Sequence, residues 1–343
     1  MNQISILGID LAKSVFQLHG IDVHGHRRLS KQVRRACLMK TVAQLPSCLI
    51  AMEACGGAYY WAREFEALGH QVKLIPPQYV KPFVQVNKND VRDAQAIAEA
   101  AARPATPTVP QKSVEQQDIQ AIHRVRERLI RERTAVANEL RGLLAEVGVV
   151  IPCGNVQIAK HLTAVLDQNQ DKLSGCRHRL IEELRQQWLE RDHRITMYDG
   201  ELKRLAQQEP SCALLQTIPG IGPVNATLLY SYVGSVSSYR SGRHLSAALG
   251  LVPKQYASGG KTVLKGISKQ GNTHVRRQLI HGARAAYKVL SKPGKSSALR
   301  DWVQRKQGKH PNKIIVALAN KLARICWAVL KKQTPYQAEV SVA

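Results

Sequence analysis

Two stretches in the middle of the chain repeat apolar residues at the three- and four-residue spacing of long packed helices. Ile122, Val125, Leu129, Val136, Leu140, Leu143 and Val147 mark one seam, and Ile181, Leu184, Trp188, Ile195, Tyr198, Leu202 and Leu205 mark another. Helices this long must cover their seams along most of their length. That restricts the middle of the chain to an antiparallel hairpin, a local bundle or a helical interface between copies. Pro152 and Gly154 mark the break between the helices. A coiled-coil pattern of this kind predicts a homo-oligomer, from dimer to tetramer, and the spacing by itself does not choose the partner helix.

The residues before the first seam follow a different period. "ISILGID", "SVFQLHGID" and "HRRLSKQV" read as three strands, followed by a helix near Cys37 to Gln44, the strand "SCLIAME", the helix "YYWAREFEALG", the strand "QVKLIPP" and the helix "DVRDAQAIAEAAA". Three strands followed by alternating strands and helices predict an α/β domain on a mixed sheet over residues 1–104. The proline-rich "RPATPTVPQK" reads as its exit linker, and residues 105–210 as a linker plus the coiled-coil helices. Residues 211–343 read as an all-α domain. It holds a helix, a glycine turn and a helix, then the basic loop "PKQYASGGKTVLKGISKQG", the helix "NTHVRRQLIHGARAAYKVL" and a final helix from about Pro311 to Lys331. The stripe Ile314, Leu318, Leu322, Ile325 and Val329 makes that last helix a core element.

Charge narrows the function. Fifty Lys and Arg against 25 Asp and Glu leave a formal +25 in 343 residues, a balance that points to a polyanionic partner. A membrane is the poorer partner, because no run approaches 18 apolar residues and "KIIVALANKLARICWAVLKK" is broken by Lys321 and Arg324. A strand pattern stands where a signal peptide would be, and the seven cysteines never fall as Cys-x-x-Cys, so reduced, cytoplasmic thiols are expected. No carboxylate lies between Glu209 and Asp301, whereas Lys254, Lys261, Lys265, Lys269, Arg276 and Arg277 all do. These six are the expected phosphate contacts. "LLQTIPGIGPVNATLLYSYVG" adds a helix-hairpin-helix, whose Gly220 and Gly222 leave backbone N–H groups open to a phosphate at a helix N-terminus.

The acids that remain are placed pointedly. Asp10 and Glu53 each end a buried strand, and Asp90 and Asp93 share a face at the start of a helix. Clustered carboxylates repel one another unless a divalent cation neutralises them, and hard oxygen ligands suit Mg²⁺, which keeps waters for phosphate chemistry. A Mg²⁺ site, with two metals as an option, is therefore expected at Asp10, Glu53, Asp90 and Asp93. The order Asp, Glu, Asp-x-x-Asp on this run of strands resembles the RuvC-like branch of the RNase H fold.

With these motifs in order, the chain resembles transposases of the IS110 family, and within it the IS1111 branch. "GIDLAK", "MEACGG" and "NDVRDAQAIAEAA" match the family's N-terminal DEDD domain, and "IPGIGPVNATLL" with "ALGLVPKQYASGGKTVLKGISKQGNTHVRRQL" match its C-terminal transposase domain. The resemblance implies a recombinase that moves its own insertion sequence, guided by a bridge RNA that pairs with target and donor DNA, and acting as several protomers. It also implies a nucleophile: the family's tyrosine-x-serine-glycine segment falls on "YASGG", which makes Ser258 the serine that attacks DNA. Two rivals remain at this level. A RuvC-like junction resolvase or nuclease would use the acids without the serine, and a non-catalytic scaffold would use only the charge.

Overall fold

The computed structural model describes residues 3–84, 89–294 and 296–338, so Lys295 of the basic stretch lies outside the described residues. Residues Met1–Ser113 and Val114–Ala343 form two compact units.

The first unit is built on a five-stranded sheet of β1 (Ile6–Asp10), β2 (Val15–Ile21), β3 (Arg27–Arg34), β4 (Leu49–Glu53) and β5 (Gln71–Ile75). The strand order is β3-β2-β1-β4-β5. The first three strands form an antiparallel meander, while β4 runs parallel to β1 and β5 parallel to β4. Direction follows from the connections, since β4 is reached through α1 (Leu38–Ala43) and β5 through α2 (Ala58–Ala67). This is the mixed sheet of an RNase H-like domain. One face buries Leu7, Ile9, Phe16, Leu18, Ile50 and Met52 with Trp61 and Phe65 of α2. On the other, α3 (Pro77–Val80) and α4 (Asp90–Ala102) cover Ala51 and Ile75 with Val80, Ala96, Ile97 and Ala100. The segment expected as a free linker is partly docked: the Val109 N–H donates to the Leu74 carbonyl at 2.8 Å, adding one antiparallel bridge to β5.

The second unit opens with α5 (Val114–Ala145) and α7 (Gly175–Gln208), joined across α6 (Asn155–Gln168), a helix the sequence reading left inside the connection. Ion pairs Arg126–Asp199, Arg133–Asp192 and Arg191–Glu132 join rising numbers on α5 to falling numbers on α7, so the pair is antiparallel. Ile181, Trp188, Ile195 and Leu202, seven apart, are all buried, as are Leu129, Val136 and Leu140. At the ends of α5 the buried positions move by one: His123 and Leu144 go inside, while Ile122 and Leu143 stay half-buried. A straight helix turns every 3.6 residues, so a strict heptad reading drifts off the contact. The two seams close on each other within one chain. The coiled coil is therefore an internal hairpin within this chain.

The rest of the unit packs on that hairpin. α8 (Pro210–Gln216) packs on α7, and α9 (Pro223–Val233) against both long helices; Gln120 of α5 donates to the Ser231 carbonyl at 2.7 Å. α10 (Gly242–Ala248), α11 (Thr273–Leu290), α12 (Ala298–Gln304) and α13 (Pro311–Lys332) complete a core that includes Leu215, Ile218, Ile221, Leu229, Leu279, Leu318, Leu322 and Cys326. The basic segment expected as a loop is a β-hairpin instead, β6 (Pro253–Ser258) paired antiparallel with β7 (Lys261–Ile267).

Candidate catalytic site and nucleic-acid interface

The acids of the first unit meet because of where a glycine stands. A Cβ added to Gly8 would fall 2.4 Å from the Ala94 carbonyl oxygen, so only glycine lets α4 cross β1 this closely. That crossing brings the start of α4 over the end of β1. Oxygens of Asp10, Asp90 and Asp93 lie within 4.8 Å of one another. Asp90 and Asp93 sit in the first turn of α4, where the helix dipole favours negative charge, and Asn89 caps that turn by accepting the Arg92 N–H at 2.9 Å. Glu53 is not in this trio. Ile9 and Met52 are paired across the parallel strands, so Asp10 and Glu53 are the next residues on each. Side chains alternate along a strand, so Asp10 shares the face of Gly8, and Glu53 that of Ala51, which is the α4 face in both cases. Glu53 is thus one strand spacing away, about 4.8 Å between strands. The Cys55 thiol feels both strand ends: desolvation, then Glu53, then Asp10 push its pKa up. An all-carboxylate donor set of this kind fits Mg²⁺.

Ser258 ends β6. Its register partner is Lys261, and the two residues between them, Gly259 and Gly260, have φ of 53° and 76°, the paired positive values of a tight hairpin turn. Every residue of both strands up to Gly266 is exposed. The root is held firmly. Cβ atoms on Gly250 and Gly271 would fall 2.2 Å from the Gln270 carbonyl oxygen and 1.9 Å from the Ala248 carbonyl oxygen, where the chain enters and leaves the hairpin. The Ser268 and Lys269 N–H groups donate to the Val252 and Gly250 carbonyls at 2.8 and 3.1 Å.

Arg276 is tied into that root. It is only 7% exposed, and its guanidinium donates to the Leu249 carbonyl at 3.1 Å, the Gln270 carbonyl at 2.8 Å and the Thr273 hydroxyl at 3.1 Å. The side chain expected as a phosphate contact ties the two ends of the hairpin together, because a buried guanidinium satisfies its donors internally. Arg277 is exposed but ion-paired to Glu127 of α5, which also faces His274 at 3.2 Å. Lys254, Lys261, Lys265 and Lys269 are all exposed; the Lys265 ammonium sits 4.5 Å from the centroid of the Tyr256 ring.

The helix-hairpin-helix forms between α8 and α9, and its two glycines do different work. A Cβ on Gly220 would lie 2.3 Å from the Gly282 carbonyl oxygen, so Gly220 serves the close packing of the turn on α11. Gly222, just before α9, is exposed with nothing near its missing side chain. Of the two expected backbone contacts, Gly222 has the open position. The sequence reading missed both the hairpin and Tyr256. The available signal was Gly-Gly between "QYAS" and "KTVL", the composition of a two-residue hairpin turn.

Known proteins resemble both parts of the chain. Residues 212–298 match the family model described as "Transposase IS116/IS110/IS902 family", and residues 7–149 match an IS110 DEDD model described as "Transposase". The chain is 45% identical over 338 residues to the transposase for insertion sequence element IS1111A of Coxiella burnetii, covering 98% of this chain and 92% of that one. It is 43% identical over 336 residues to a probable family 20 transposase of Pseudomonas aeruginosa, covering 97% and 99%. It is also 40% identical over 337 residues to the transposase for IS1328 of Yersinia enterocolitica, covering 98% and 99%. With the acidic trio inside one matched segment and the serine hairpin inside the other, the chain belongs to the IS110 family of transposases, enzymes that act on DNA.

Proposed function

We propose that this transposase cuts and rejoins DNA through Ser258, with the acids of its first unit serving as a Mg²⁺ site. The observation that carries this is the placing of Ser258: exposed, at the tip of a rooted hairpin, directly across from Lys261. Its hydroxyl attacks the scissile phosphorus, forms a phosphoserine ester and releases the deoxyribose oxygen, conserving the bond energy needed for rejoining. Lys261, with Lys254 and Lys265 on the same hairpin, holds the phosphate and offsets the charge that develops on it. A serine hydroxyl is a weak nucleophile at neutral pH and needs activation, and no carboxylate lies between Glu209 and Asp301 to supply it locally. Asp10, Asp90 and Asp93, with Glu53 on the neighbouring strand, would hold Mg²⁺, which neutralises phosphate charge and makes a bound hydroxyl more acidic.

The finer assignments rest on the family resemblance: the RuvC-like character of the first unit, guidance by a bridge RNA that pairs with target and donor DNA, assembly of several protomers, and work on the bacterial nucleoid. An exposed basic surface suits duplexes held by shape and backbone, with base pairing carrying sequence choice. A cut-and-rejoin reaction is favoured over simple hydrolysis by a relative named a pilin gene-inverting protein from Moraxella lacunata, 25% identical over 301 residues and covering 83% of this chain and 80% of that one.

The test is to quench the reaction with denaturant and look for DNA covalently attached to protein. Wild type is expected to yield an adduct mapping to Ser258, and Ser258→Ala neither adduct nor recombinant product. A Ser258→Ala protein that still cleaves in a Mg²⁺-dependent way would make the chain a nuclease that does not use the serine.

A further inference from the structure

We propose that the face of the β6–β7 hairpin carrying Ser258 is a stacking platform, with Tyr256 as its floor for one unstacked base of the DNA strand being cut. This rests on the reading of Ser258 as nucleophile and adds a recognition surface to it.

The geometry begins with alternation. Tyr256 and Ser258 are two apart on β6, so their side chains share a face, and the register sets Val263 across from Tyr256 and Lys261 across from Ser258. Lys265 is on that face too, because its ammonium lies 4.5 Å from the Tyr256 centroid. One side of the ring is thus backed by a cation, while the residue as a whole is 60% exposed and Val263 54% exposed. A two-stranded hairpin uncovered on both faces is marginal in water, so an aromatic and a β-branched side chain side by side on it gain from being covered.

The chemistry around that patch selects the cover. Lys254, Lys261 and Lys265 stand on the hairpin with no carboxylate between Glu209 and Asp301, which calls for a polyanion that also presents flat apolar surface. A nucleic-acid strand has both: phosphates for the lysines, a base for the ring. Two residues of antiparallel strand span about 7 Å, enough for a base to rest on Tyr256 while its neighbouring phosphate reaches Ser258. A base whose flat face lies on the ring has given up its stacking neighbour on that side, so it has left the duplex stack. Tyr256 therefore positions the strand at an opened step and takes no part in proton transfer.

The experiment uses the full-length Ser258→Ala protein and a duplex of the element's own end, with a single 5-iodouracil walked across the cleavage step. Irradiation is expected to crosslink one position to Tyr256. In the Ser258-containing protein, Tyr256→Phe should keep near-normal cleavage, whereas Tyr256→Ala should lose the crosslink and raise the KM for DNA about tenfold with a smaller change in kcat. Because Tyr256 is exposed, neither substitution threatens folding. Crosslinks that map elsewhere, crosslinks found only when the halogenated base is in RNA, or Tyr256→Ala cutting with an unchanged KM would each overturn the platform. A wild-type serine adduct without any Tyr256 crosslink removes the platform and leaves the nucleophile. A Tyr256 crosslink in a Ser258→Ala protein that still recombines does the reverse.

Discussion

At the scale of single residues, the acids and the buried cations make separate predictions. Asp10→Asn should abolish strand cleavage and leave nucleic-acid binding within about twofold, as read by cleavage and filter-binding assays side by side, because binding rests on lysines elsewhere in the chain. Glu53→Gln is the sharper test, since Glu53 stands outside the trio of Asp10, Asp90 and Asp93: loss of cleavage equal to that of Asp10→Asn would make it a full member of the metal site. Arg276→Met removes three hydrogen bonds and leaves the Leu249 and Gln270 carbonyls unsatisfied, a loss of about 2–4 kcal/mol by thermal or denaturant unfolding. His123 gives a pH prediction. Burial, then His274 and Arg126, lower its pKa from 6.5 to about 3, so below pH 6.5 the unfolded chain takes up a proton that the folded chain refuses. Stability is unaffected above that pH and falls as pH drops toward 3, by up to about 1.4 kcal/mol per pH unit. His274, also lowered by burial, acts in the same direction. Denaturation midpoints of wild type and His123→Leu, measured from pH 7 to pH 4, should converge as the pH falls.

At the scale of elements, the long hairpin and the short one are built on opposite principles. α5 and α7 are held by a continuous buried seam, so Trp188→Ala, which empties a large position in its middle, should cost about 3–5 kcal/mol. β6 and β7 bury almost nothing of their own and are held by their root and their turn. Replacing Gly259 and Gly260 together by alanine forces two left-handed residues, at a local cost of about 1–2 kcal/mol each. The unit's melting temperature should hardly move, while adduct formation at Ser258 should fall at least tenfold. The contrast also explains which element could be read from sequence. A heptad is legible because every seventh residue of α7 is buried; the short hairpin has no buried face, hence no period-two apolar pattern, and its composition reads as a basic loop.

For the whole molecule, the excess of +25 predicts binding that weakens steeply with salt, about one unit of log–log slope for each phosphate neutralised. Replacing Lys254, Lys261 and Lys265 by glutamine should lower that slope by about three. Arg276 should lower it by nothing beyond the effect of its instability, and salt titrations of the two variants would separate a phosphate contact from a structural cation. The same arithmetic tests whether the hairpin is the main contact surface: a slope unchanged by the triple substitution would move the binding elsewhere on the chain.

Local pattern alone determined a good deal. The strands and helices of the first unit, the acids at strand ends, the long helices and the glycine turn before α9 are all written in neighbouring residues, because secondary-structure period and turn chemistry act over a few positions. Tertiary structure decided the rest. It paired the two seams within one chain, where the heptads by themselves predict an assembly of copies, because a heptad specifies a sticky face and not its partner. It spent Gly220 on Gly282 and Arg276 on the hairpin root, since which glycine is crowded and which cation is buried depends on segments far away in sequence. It drew Asp90 and Asp93 to Asp10 through Gly8 and left Glu53 a strand away, because distances between carboxylates are set by how a helix crosses a sheet, and no residue spacing encodes that crossing.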